Sequence, residues 1–159
     1  LGVVGAAGNA EEALRELDQT GTGDQASRIA NRASFSAWIG GAGWAGLERG
    51  SHYLFTVESV RRLVAHRDQI VKSARWSPSA GIASMWQTIL NGFTFGRNVA
   101  LGAFGRGKAV PAEKPWQRRL DGLISVVVAI PALLVAVPLE LIDAAVGRGG
   151  AKSLRFELL

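Results

Sequence analysis

The sequence predicts a mixed α/β domain that is mostly helical, closes on an antiparallel pair of strands and carries an apolar helical insertion. Three observations predict it. Several segments repeat apolar residues at helical spacing, among them Ile82, Met85, Trp86, Ile89 and Leu90. Two segments, Gln69 to Trp76 and Lys152 to Leu158, read as strands. Between them, Leu123 to Leu139 runs for seventeen residues without a charge.

The first element is a short helix from Asn9 to Leu17. Asn9 can cap it, Glu12 completes a capping box, and Ala10, Ala13, Leu14 and Leu17 share one face. Thr20 to Gln25 is polar, rich in glycine and without period, which reads as loop. It is not a phosphate-binding loop, because no strand precedes it and no Gly-Lys-Ser/Thr ends it. In Asn31 to Trp44, the residues Phe35, Trp38 and Ile39 can share a helix face that Gly40 and Gly41 end. Thr56 caps the next helix, with Glu58 in its first turn and Val57, Val60, Leu63 and Val64 on one face.

The strand Gln69 to Trp76 is broken by Ser77 and Pro78, and the helix through Leu90 follows. The stretch Gly92 to Pro115 is basic and contains glycine, an expected excursion from the core. Pro131 and Pro138 interrupt the apolar run; each removes a backbone donor, so a kinked hairpin or a surface-lying helix pair is expected rather than a straight span. Burial against protein is the alternative to lipid contact. Gly147 to Gly150 is a turn, and in the last strand Leu154, Phe156 and Leu158 alternate with Ser153, Arg155 and Glu157.

The chain has 159 residues, enough for one domain with a core. It has no cysteine, which excludes disulfides and thiolate metal sites and fits a reducing compartment. No arginine-led apolar segment opens it, so no signal peptide is expected. Leu1 stands first and Met85 is the single methionine, which fits a start inside a longer gene product or at a non-standard codon. The net charge is +5. Arg97, Arg106, Lys108, Lys114, Arg118 and Arg119, against Glu113 alone, carry that same excess just before the apolar run. This juxtaposition favours an anionic membrane surface as partner over nucleic acid.

Chemistry is sparse. His66 ends a helix beside Arg67, a solvated position. His52 lies between Ser51 and Tyr53 in a loop, where it can serve as a general base or touch substrate; a plain surface histidine is the competing reading. No metal-ligand spacing, hydrolase elbow or dinucleotide fingerprint is present. The five tryptophans read as core and interface anchors.

Four separated segments together resemble one large group of class I S-adenosylmethionine-dependent methyltransferases. They are Asn31-Arg-Ala-Ser-Phe-Ser-Ala-Trp-Ile with Gly43-Trp-Ala-Gly-Leu, Ser51-His-Tyr-Leu-Phe-Thr with Glu58-Ser-Val, Trp76-Ser-Pro-Ser-Ala-Gly-Ile with Trp86-Gln-Thr-Ile-Leu-Asn, and a proline-broken apolar run ending Gly147-Arg-Gly-Gly. The resemblance covers residues 31–159 and, more weakly, 9–30. It implies a partial Rossmann-like methyltransferase fold with a degenerate helix and polar loop over 1–30 and a basic, apolar insertion over 92–150. It implies that Val57 to His66 is the last Rossmann-type helix, that a strand precedes Asn31, and that the two strands form the final antiparallel pair.

Departures from the group are specific. The family's glycine-rich first loop and its acidic cofactor contacts have no counterpart, Thr20 to Ala30 is polar where a branched apolar strand belongs, and Ser51 stands where an arginine precedes the histidine. The resemblance therefore implies a partial or degenerate methyltransferase, inactive alone. In it S-adenosylmethionine is the cofactor of the intact family and binds no residue of this chain. His52 and Tyr53 stand on the substrate side, and a missing N-terminal half or an oligomer partner completes the enzyme. The substrate class is lipid-like, and the location cytoplasmic, peripheral to the inner face of the membrane. A small non-enzymatic membrane-surface or interaction protein is the alternative.

Overall fold

The computed structural model describes residues 26–47, 54–65, 68–105 and 108–158, together with Glu12 and Arg15, both helical. The rest of the Asn9 to Leu17 helix and the Thr20 to Gln25 loop lie outside these residues. The fold is mixed α/β and mostly helical, with five helices and one three-stranded antiparallel sheet among the described residues. In chain order the elements are β1 (Ala26–Ala30), α1 (Phe35–Gly40), α2 (Val57–Ala65), β2 (Gln69–Trp76), α3 (Pro78–Asn91), α4 (Val99–Ala103), α5 (Pro115–Ala145) and β3 (Ala151–Leu158).

The last strand lies in the middle, in the order β1-β3-β2. Ala30 pairs with Ala151 at one end of the β1 ladder, and Trp76 pairs with Lys152 in the β2 ladder, which carries an irregularity between Val71 and Ser73. Both outer strands run antiparallel to β3, so they run parallel to each other. A parallel relation needs a crossover, and α1 and α2 lie in it. Helix α2 starts as its sequence dictates. Thr56 Oγ1 accepts from Ser59 N at 3.0 Å, and Ser59 Oγ accepts from Thr56 N at 2.8 Å. Its Val60, Leu63 and Val64 pack with Ile29 of β1 and Leu154 of β3 into the sheet core.

A second core joins α3, α4 and α5 through Leu90, Ala100 and Ala132, with Trp86, Ile89 and Val128 against them. Pro78 opens α3 at a position where its missing donor is harmless.

Three expectations are corrected. A strand forms at Ala26–Ala30, within the polar stretch of 1–30. Ile29 is its one large apolar side chain, and burying that single residue against α2 and β3 is enough for a strand paired on one side. The apolar run does not fold back as a hairpin or a helix pair: α5 is one helix of 31 residues, through Pro131 and Pro138. Both prolines lie on its exposed side, while the opposite side is held along its length. Phe35, Trp38 and Ile39 lie on one helix, as expected. Ser36 and Ala37 are buried in α1, whereas Trp38 and Ile39 are exposed. Finally, Gly92 to Pro115 is tied in rather than excursive, through α4 and a two-bond bridge between Arg97 and Val110.

Candidate functional site

The unusual element is α5, and its residues explain why. Asp121, Ser125, Ala129, Ala132, Ala136, Glu140 and Asp143 follow one another at intervals of four, four, three, four, four and three, which places them on one stripe of the helix. Asp121, Ala132, Ala136, Glu140 and Asp143 are buried. The large apolar residues point the other way: Val126 is 75% exposed, Ile130 70% and Leu134 72%, against 0% for Ala136. A helix on a water-soluble body does the reverse, turning Leu, Ile and Val inward and charges outward. Small residues on the inner stripe let α3 approach closely, as in helix pairs within lipid. Trp86 Nε1 reaches across to donate to Ala129 O at 2.8 Å. By length and composition α5 could also cross a membrane.

Buried carboxylates fasten both ends of the stripe. At the N-terminal end, Asp121 accepts from Phe95 N at 2.7 Å and from Gly96 N at 2.8 Å. At the other end, Glu140 Oε1 accepts from Trp76 Nε1 at 2.8 Å and from Gly150 N at 2.6 Å. One turn on, Asp143 accepts from Phe35 N at 2.8 Å. Asn31 donates from its side chain to Arg148 O and Gly149 O, clasping the glycine turn before β3. Burial, with Asp143 nearby, pushes the Glu140 carboxyl above the usual carboxylate range, against the opposing pull of Gly150, Trp76 and Lys152. These acids take backbone and indole donors and serve as anchors.

Around the N-terminal end of α5 an amphipathic rim forms. Phe95 and Trp116 are exposed there and meet edge-on at 5.5 Å between centroids, and Phe93, two residues before Phe95, is exposed as well. Lys108, Lys114, Arg118 and Arg119 are exposed beside them. Exposed apolar rings, with the polar indole edge of Trp116 and long cationic side chains beside them, suit the boundary of a lipid headgroup layer.

A cleft of about 550 Å³ opens elsewhere, between the Ala30 end of β1, the first turns of α3 and the Gly150 turn. Arg28, Ser79 and Ser84 are the polar side chains on its walls, which are otherwise alanine and glycine with Ile29 and Leu101. No acid or histidine lines it, so its described walls offer no proton acceptor for catalysis.

His52 and Tyr53, the residues predicted for the substrate side, lie outside the described residues, as does His66. Among the described residues no group of three or more His, Cys, Asp or Glu could hold a metal ion. Sequence reasoning missed Asp121, Glu140 and Asp143; the signal that could have found them is their spacing with the alanines. Of the tryptophans, Trp44 is buried as expected, whereas Trp38 and Trp116 are exposed. No family model, curated protein or solved structure matches this chain.

Proposed function

We propose that this chain is a membrane-seated module whose helix α5 lies along a bilayer surface, outer side in lipid and inner side on the protein. The observation that carries this reading is the inverted helix: small and acidic residues inward, large apolar residues outward. An exposed apolar face of this extent calls for a covering phase. The neighbouring cations make an anionic lipid surface the fitting one, and nucleic acid a poor one. With a cytoplasmic protein, that surface is the inner face of the membrane.

An in-plane setting suits the helix better than a crossing. Asp121 and Glu140 are 19 residues apart, about 28 Å on an ideal helix, close to the thickness of a hydrocarbon core. Over that distance the inner stripe is packed on α3 and the segment after it, and α3 itself carries α1, α4 and β3. A crossing would draw this body and its exposed Arg28 and Arg32 through hydrocarbon. Lying flat leaves them in water. The test is flotation with neutral phosphatidylcholine vesicles. Wild type should float, and a Val126→Asp/Ile130→Asp double variant should lose at least ~100-fold in partitioning, since each side chain gains about 1.5–3 kcal/mol on leaving water. Equal flotation of both proteins would remove the support.

A second reading, that the chain is the substrate-side half of a class I methyltransferase, is favoured by one observation. The strand that the resemblance asks for directly before Asn31 has a counterpart in β1, which ends at Ala30. The antiparallel pairing of β2 with β3 also agrees with the implied final pair. On this reading the substrate is lipid-like, His52 and Tyr53 face it, and a complementary half or an oligomer partner supplies S-adenosylmethionine. Calorimetric titration of this chain with S-adenosylmethionine should give no heat of binding; saturable heat would overturn the division of labour.

A further inference from the structure

We infer that a small basic pocket near the N-terminal end of α5 holds the phosphate of an anionic phospholipid, an inference that rests on the membrane-seated reading above. The pocket, of about 180 Å³, is lined by Leu47, Arg97, Asn98, Lys108 and Val110. It contains two cations and no acid. Among the described residues no carboxylate pairs with either cation.

Arg97 is held by its surroundings before any ligand arrives. Its backbone exchanges both hydrogen bonds with Val110 at 2.8 Å. Its Nη2 donates to Trp44 O and Leu47 O at 3.1 Å each, while its Nε is buried with no hydrogen-bond partner. Asn98 is equally fixed, donating from Nδ2 to Ala45 O at 3.2 Å and from N to Asn91 Oδ1 at 2.8 Å. Lys108, by contrast, is exposed. A fixed guanidinium beside an exposed ammonium is a suitable pair for a phosphate, which offers several acceptor oxygens and at least one full negative charge. With no acid among the described lining residues, an anion offsets the positive charge that the two cations bring to the pocket.

The place in the fold selects a lipid as the source of that phosphate. Gly96, next to Arg97, donates to Asp121 in the second turn of α5, and Phe95 packs on Trp116 of the aromatic rim. The pocket is therefore built from the same short segment that edges the lipid-facing helix. A headgroup phosphate is the anion such an edge meets.

The test compares wild type, Lys108→Glu and Arg75→Glu, the last an exposed cation on β2 remote in sequence from the rim. Adding phosphatidic acid to phosphatidylcholine vesicles should strengthen wild-type binding. Lys108→Glu should lose most of that gain, roughly tenfold or more in binding to the phosphatidic acid vesicles. Arg75→Glu should keep the gain. Equal losses in the two variants, or none in either, would overturn the pocket in favour of diffuse charge or no charge effect. Wild type that floats with no vesicle at all would instead sink the membrane reading. Glycerol 3-phosphate then separates the cases. Thermal stabilisation by it that Lys108→Glu abolishes would retain a phosphate pocket and discard the lipid source, and no stabilisation would discard both.

Discussion

Trp76 and Glu140 meet across 64 positions of sequence, the indole Nε1 donating to Glu140 Oε1 at 2.8 Å. The same oxygen accepts from Gly150 N, so one buried carboxylate joins the end of β2, the last turns of α5 and the entry to β3. Replacing Glu140 with Ala leaves two donors without a partner in a buried place. The expected loss of stability is about 2–5 kcal/mol, read from chemical denaturation. Glu140→Gln keeps an acceptor and should lose less.

The same carboxyl predicts a pH effect of unusual sign. Its folded pKa is raised by burial, so the folded state binds the proton more tightly than the unfolded chain. Its contribution is complete below the ordinary carboxylate value of 4.5 and is lost as pH rises through the raised folded value. Denaturation of wild type and Glu140→Gln across that window should show the wild type gaining stability relative to the variant as pH falls. A relative loss on acidification would contradict the assignment.

Gly81 makes the approach of α3 to this corner possible. A Cβ there would meet the Glu140 carboxylate and would lie 2.7 Å from Trp76 Nε1. In an open helix Gly→Ala stabilises by about 1 kcal/mol. Here Gly81→Ala should destabilise by about 1–3 kcal/mol, because the neighbours are themselves fixed by hydrogen bonds. Thermal unfolding of the variant reads the sign directly.

Asp121 plays the matching part at the other end. Asp121→Ala removes the acceptor of Phe95 N and Gly96 N and should cost about 2–3 kcal/mol. Hydrogen exchange should accelerate at the Gly96 amide more than at amides of β3. Equal protection in wild type and variant would show that this anchor does not hold the segment.

The two sides of α5 should respond oppositely to substitution. Ala136→Leu pushes extra volume into the close contact with the body and should cost about 1–3 kcal/mol. Val126→Asp, on the open side, should change stability in water by no more than about 0.5 kcal/mol while weakening lipid binding. Parallel denaturation and flotation of the two variants separates these effects.

How much of this was legible in sequence depends on the reach of each interaction. Gln69–Trp76 and the last strand were read almost to the residue, because local pattern and the Ser77-Pro78 break carry the information. The α3 face was legible for the same reason. Strand β1 was not, since Ile29 alone marks it among polar neighbours and its pairing partner lies more than a hundred residues on. The prolines of α5 suggested a break, yet what keeps the helix whole is distant. Apart from Gly150, ten positions from Glu140, the donors to the carboxylates fastening it lie 25, 26, 64 and 108 positions away. In sequence, Glu140 and Asp143 look like the charged end of an apolar run; in space they continue its buried stripe. The predicted substrate-side pair His52 and Tyr53 falls outside the described residues, so the candidate site rests on α5 and its rim.

Spin labels placed one at a time at Leu123, Val126, Ile130, Leu134 and Ile142 test the central claim most directly, through collision with oxygen and with a water-soluble nickel chelate in vesicle-bound protein. An in-plane α5 predicts that all five favour oxygen over nickel, at similar shallow depths from Leu123 to Ile142. Depth that deepens toward Ile130 and shallows again would mean a crossing helix. Full nickel access at all five positions would place this face in water and contradict the account.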